Sequence, residues 1–191
     1  MLPQTDFPLP PDLPCPIDDG AANHLINTTL PQISLYSTAG RTVDVSALNA
    51  PRTVIYFYPM TGVPSQPLPD GWDMIPGARG CTPQARNFQD RYQEFENLNV
   101  EVFGCSTQTN EYQREMARRL HLPFEMLSDA EFRLCDALRL PTFEADKMRL
   151  VKRLTLIVRH ARVEHLFYPV FPPNESADEV LRWLKDHPIT N

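Results

Sequence analysis

Thr53-Val54-Ile55-Tyr56-Phe57-Tyr58-Pro59 is the stretch from which the fold can be read. Six β-branched or aromatic residues follow one another without a charge, and proline ends the run. Unbroken apolar character over this length suits a central strand buried on both faces. The chain on either side supplies the layers that would bury it.

Downstream, residues 59–80 form a Pro/Gly-rich connection containing Trp72. Compact domains seldom carry so long an irregular segment unless it has a function. A wall or lid over a site is the expectation here. Trp72 either packs down over that site or anchors the loop to the core. The connection delivers Ile75-Pro76-Gly77-Ala78-Arg79-Gly80-Cys81-Thr82-Pro83 to a helix predicted over 82–96. Proline suits a first helical turn, since the N–H it lacks would be orphaned there. Ala85, Phe88, Tyr92 and Phe95 then repeat at helical spacing and form an apolar face. A cysteine at a helix N-terminus sits where the macrodipole and free N–H groups favour an anion. The thiolate is the nucleophilic form, so Cys81 is a candidate reactive centre. Arg79 and Arg86 flank it.

Strands are expected at 33–36, 100–105, 153–158 and 163–167, the last two joined as a hairpin through Arg159-His160-Ala161-Arg162. Helices are expected over about 108–120, from Ser128 (capped by Ser128 with Glu131) and from Ser176 (capped by Ser176 with Glu179). The order describes one mixed sheet with helices on both faces, an α/β three-layer sandwich. Sites in such sheets form at the carboxyl ends of parallel strands. Cys81 follows one strand and Cys105 closes the next, so both belong to one edge.

Residues 1–31 are proline-rich and favour extended backbone. They read as an N-terminal arm carrying Cys15, ahead of a single domain over 32–191. The 191 residues are enough for a real core, and the net charge of −6 leaves no basic footprint for nucleic acid. No apolar run reaches the roughly 20 residues of a membrane helix. The N-terminus lacks the basic and apolar regions of a secretory signal. The four cysteines, Cys15, Cys81, Cys105 and Cys135, are widely spaced and lack a Cys-x-x-Cys pair or zinc-type spacing. Reduced thiols in the cytoplasm are therefore expected, with no metal and no cofactor. Absence of Cys-x-x-Cys also disfavours a thioredoxin-type disulfide reductase.

Five segments in order resemble the peroxiredoxins, closest to the bacterioferritin-comigratory (PrxQ-like) branch of the AhpC-TSA group within the thioredoxin-like superfamily. They are Tyr56-Phe57-Tyr58-Pro59, Gly80-Cys81-Thr82 with Phe88, Val102-Phe103-Gly104-Cys105-Ser106, Leu122-Pro123-Phe124 with Leu127-Ser128-Asp129, and Lys152 to Ile157. The resemblance spans roughly residues 30–186. It implies a thioredoxin-like fold and thiol-dependent reduction of hydrogen peroxide or organic hydroperoxides. It implies that Cys81 is the peroxidatic cysteine and that Arg153 orients thiolate and peroxide. Pro76 is carried over as the family's active-site proline. Where the family places a threonine, three residues before the cysteine, this chain has Ala78; Thr82 and Thr61 are the neighbouring threonines. Where many relatives place a resolving cysteine, five residues after the first, this chain has Arg86. Resolution would then come from an external thiol (thioredoxin, glutathione or similar), from Cys105, or from Cys15 on its arm. A monomer or weak homodimer is the family-level expectation. The competing reading is a redox-sensing or binding module that keeps the fold without turnover.

Overall fold

A computed structural model describes residues 9–64 and 66–189. Pro3 and Pro8 of the proline-rich stretch lie outside the described residues. A seven-stranded mixed sheet runs through the middle, in the order β2-β1-β5-β4-β3-β8-β9. Its centre is β3 (Arg52–Phe57), buried at all six positions: Thr53 to Phe57 as their composition predicts, and Arg52 in addition. It pairs in parallel with β4 (Val100–Ser106) and antiparallel with β8 (Leu154–Arg159). β5 (Glu125–Ser128) extends the parallel part, while β1 (Ser34–Ser37) and β2 (Thr42–Asp44) finish that edge antiparallel. The other edge is β9 (Arg162–Phe167).

Alternation along β3 separates two cores. Val54, Tyr56 and Tyr58 face one side, packed against α1 (Cys81–Asp90), α2 (Tyr92–Asn97), α3 (Asn110–Leu120) and α5 (Ser176–Asp186). Rings stack through this layer, Tyr56 on Phe88 at 4.3 Å and Phe88 on Phe95 at 5.6 Å between centroids. Ile55 and Phe57 face the other side with Leu134 and Cys135 of α4 (Arg133–Ala137). Part of the stretch read as an N-terminal arm contributes here: Ala22, Leu25 and Leu30 are buried in this second core.

Several boundaries differ from the sequence reading. The helix expected over 82–96 is two helices, broken at Arg91, where ψ is 0°. The break still leaves Phe88 and Phe95 on one core. Ser128 caps no helix: it ends β5, and its hydroxyl donates to the Gln108 carbonyl at 2.7 Å. Asp129 does the capping, accepting from the N–H groups of Leu134 and Cys135. Nor does Ser176 cap α5, since its hydroxyl accepts from buried Gln84. The Asn87 side chain, reaching across from α1, accepts the Ala177 N–H instead. Capping from another element is not encoded within a four-residue window, so local sequence cannot reveal it. The hairpin β6 (Thr142–Ala145) and β7 (Met148–Val151) was not foreseen. Its turn residues, Asp146 and Lys147, have positive φ without glycine. The β8–β9 hairpin forms as expected, turning at His160-Ala161, again with φ positive at both.

Candidate active site

Gly80 and the long connection set Cys81 at the first turn of α1. Gly80 has φ +105°, a conformation that L side chains rarely adopt. A Cβ there would also collide with the ring of Pro173. The glycine thus lets the loop pass close against Pro173, just ahead of α5, and release Cys81 as the first helical residue. Cys81 is buried, and its Sγ lies 3.7 Å from the Ala78 carbonyl. Free N–H groups of the first turn are the natural partners of an anion at this position.

Arg153 arrives from the residue just before β8 and is 3 % exposed. Its Nη2 donates to Cys81 Sγ at 3.2 Å and also to the carbonyls of Ala78 and Arg79. Its Nε donates to the Gly77 carbonyl at 3.3 Å, and its Nη1 to Gln84. One guanidinium therefore ties down three consecutive loop carbonyls and still reaches the sulfur. Gln84 is fully buried and passes the connection on by donating to Ser176 at 3.2 Å. This planar fork uses the geometry that only arginine supplies.

In front of the sulfur lies a cavity of about 440 Å³ walled by Leu9, Met60, Thr61, Trp72, Thr82 and Arg119. Thr61 is 2 % exposed and is held by Gln108, which accepts its N–H at 2.9 Å. Trp72 fills both roles open from the sequence. It lines this cavity, and it packs on Ala78, Leu150 and Phe143 in a small separate cluster. Arg79 pairs with Asp73 at 3.0 Å. Arg86 turns away and donates to the Leu120 carbonyl at the end of α3.

The geometry thus brings together Cys81, Arg153 and Thr82. Pro76 is exposed and borders a different cavity, which Arg153 also lines. Cys105 is the penultimate residue of β4, paired with Phe57 at the end of β3 that leads towards Cys81. Its side chain, however, enters the other core, beside Cys135. Burial pushes the thiols of both Cys105 and Cys135 up, the latter to about 12. Gln84 and Gln113 were missed by sequence reasoning. Gln113 is fully buried; it accepts from Tyr58 at 2.8 Å and donates to the carbonyl of Leu127. A glutamine inside an apolar helical stripe was the available signal in both cases. Among the described residues no group of three or more His, Cys, Asp or Glu could hold a metal ion. No helix among them is long and apolar enough to cross a membrane.

A buried sulfur, an arginine donating to it and a cavity bordering it come together at one place on a mixed α/β sheet. The family profile described as Redoxin matches residues 26–181, and the chain belongs to this family as a PrxQ-like peroxiredoxin with a thioredoxin-like fold. It is 30 % identical to the chloroplastic peroxiredoxin Q of Sedum lineare over 159 residues, covering 83 % of this chain and 76 % of that one. Peroxiredoxin Bcp of Escherichia coli K12 is 27 % identical over 161 residues, covering 82 % and 93 %. The crystal structure of peroxidoxin BcpB from Mycobacterium tuberculosis superimposes with a TM-score of 0.69 at 22 % identity, over 85 % of this chain and 97 % of that one.

Proposed function

We propose that this thiol peroxidase reduces hydroperoxides through Cys81. The 3.2 Å approach of Arg153 to the Cys81 sulfur is the observation that carries the reading. The Cys81 thiolate attacks the peroxide oxygen, an S–O bond forms and the O–O bond breaks. Electrons leave on the departing oxygen, which takes a proton to become water or an alcohol. The developing negative charge meets the Arg153 guanidinium and the first N–H groups of α1. The sulfur is left as a sulfenic acid, the reversible first step of cysteine oxidation. A thiol then displaces the sulfenic oxygen as water, and a second thiol regenerates Cys81. Turnover is the favoured reading over a silent sensing module, because nucleophile, cation and substrate space coincide.

Apolar walls at Leu9, Met60 and Trp72 support organic hydroperoxides as substrates alongside hydrogen peroxide. Thr82 and Thr61 both border the cavity and are the hydroxyl groups we assign to contact with bound peroxide. Thioredoxin or glutathione is the proposed class of reductant, and a monomer or weak homodimer the proposed assembly. Four free cysteines support a reducing, cytoplasmic setting. Peroxide consumption with a thiol donor tests the main reading: Cys81→Ser is expected to abolish it, and full retention of activity in that variant overturns the proposal.

A further inference from the structure

The route from sulfenic acid back to thiol is not explained by the residues around Cys81, and the other three cysteines differ sharply in position. Cys105 and Cys135 are buried in the core on the opposite face of the sheet, at 0 % and 1 % exposure. Cys81 belongs to the core on the other face, with the sheet between. Cys15 is exposed. It lines a cavity of about 380 Å³ whose walls include Gly77, Lys152 and Arg153. Arg153 is therefore common to both surroundings: its guanidinium donates to Cys81, and it lines the same cavity as Cys15.

Chain direction reinforces this placement. Leu9 lines the Cys81 cavity and lies against Gly80, while Pro16 lies against Gly77. Residues 9–16 thus run alongside the loop that presents Cys81, with Cys15 next to the Gly77 contact. Asp19 fixes the base of this segment, pairing with Lys152 at 2.7 Å and accepting from the Tyr168 hydroxyl at 2.7 Å. Between residues 9 and 17 the only side-chain hydrogen bond among the described residues is local, from Cys15 to the Pro16 carbonyl. Cys15 lies four positions before the anchor, a tether of up to about 13 Å at full extension.

We infer that Cys15 is the resolving cysteine, attacking the Cys81 sulfenic acid from the arm within the same chain. The inference rests on the peroxidase reading of Cys81. Cys15 sulfur bonds to Cys81 sulfur, the S–O bond breaks, and the hydroxyl leaves with the thiol proton as water. The product is a Cys15–Cys81 disulfide, and an external dithiol reduces it to return both thiols. A disulfide needs Cα atoms within about 7 Å, so the first turn of α1 and the arm must approach each other during this step.

The test is intact and peptide mass spectrometry of the full chain after one equivalent of hydrogen peroxide. Expected are a loss of two hydrogens, a Cys15–Cys81 crosslinked peptide, and monomer migration without reductant. Cys15→Ser is expected to accumulate a sulfenic acid at Cys81 that dimedone captures, and to lose at least about ten-fold in turnover with a dithiol reductant. Cys105→Ser is expected to keep the crosslink. A wild-type protein that gains one oxygen without a crosslink, or links Cys81 to Cys105 or to a second copy, overturns the role of Cys15 and leaves the peroxidase reading standing. A Cys81 that peroxide does not oxidise at all overturns both.

Discussion

Arg153 Nη2 and Cys81 Sγ lie 3.2 Å apart although 72 residues separate them in the chain. The contact joins the start of β8 to the start of α1 across the open end of the sheet. Because the same guanidinium holds the carbonyls of Gly77, Ala78 and Arg79, it positions the loop as well as the charge. Arg153→Lys keeps a cation but loses the fork. Its kcat/KM for hydrogen peroxide is expected to fall by about 100-fold, the scale set by removing one transition-state donor. Stopped-flow peroxide reduction measures this, and a loss below three-fold would show that the charge alone suffices.

Gln84 is the residue behind the arginine. It accepts from Arg153 and donates to Ser176, entirely away from solvent. Gln84→Leu keeps the volume but leaves one guanidinium N–H and the Ser176 hydroxyl without this partner. We expect about 2 kcal/mol lower stability in urea titrations, the usual cost of stranding buried polar groups. Peroxide kcat/KM should also fall by about ten-fold as the guanidinium gains freedom, since small misplacements of a positioned group are costly. Unchanged kinetics with lowered stability would restrict Gln84 to a structural part.

How much of this was readable from sequence follows from what each feature depends on. β3 was legible because a strand buried on both faces needs apolar residues at every position, and Thr53 to Phe57 meet that requirement. Cys81 was legible because glycine, threonine and proline mark a helix start locally. The pairing of Cys81 with Arg153 came through family resemblance, since no periodicity links residues so far apart. β5 was missed because Leu122-Pro123-Phe124 and Ser128 read as the end of one helix and the cap of another. The strand lies between them, stabilised by pairing with β4 and β1 rather than by its own four residues. Cys105 illustrates the limit of edge reasoning. Strand order gives the end of the sheet, but the face depends on register, and one residue changes it.

Arg52 and Glu164 give a pH-dependent test of the sheet's other end. Arg52 is buried at the start of β3, and its Nε lies 2.6 Å from the Glu164 carboxylate on β9. Hydrogen bonds from Arg52 hold the Glu164 carboxyl below its usual value of 4.5. A carboxyl depressed in the folded state contributes stability above its unfolded value, and loses it as pH falls through the folded one. Glu164→Gln is expected to cost about 2 kcal/mol near pH 7, largely because a buried guanidinium loses its countercharge. The gap to wild type should close progressively below pH 4.5, where wild type also protonates. Chemical denaturation at both ends of that range measures the difference.

Trp72 separates the two uses of the long connection. Its ring is 4 % exposed, packs beside Phe143, Ala78 and Leu150, and forms part of the wall in front of Cys81. Trp72→Ala removes a large buried ring from a small cluster, and a loss of about 3 kcal/mol in unfolding free energy is expected. If the ring served only to anchor the loop, hydrogen peroxide and cumene hydroperoxide would lose rate by the same factor. An apolar wall touches only the larger of these substrates. We therefore expect the ratio of kcat/KM for cumene hydroperoxide over hydrogen peroxide to drop by about ten-fold, in line with the discrimination an apolar pocket offers. Parallel steady-state assays with one reductant give the ratio directly. Equal losses would assign Trp72 to loop anchoring and shift substrate contact to Leu9 and Met60.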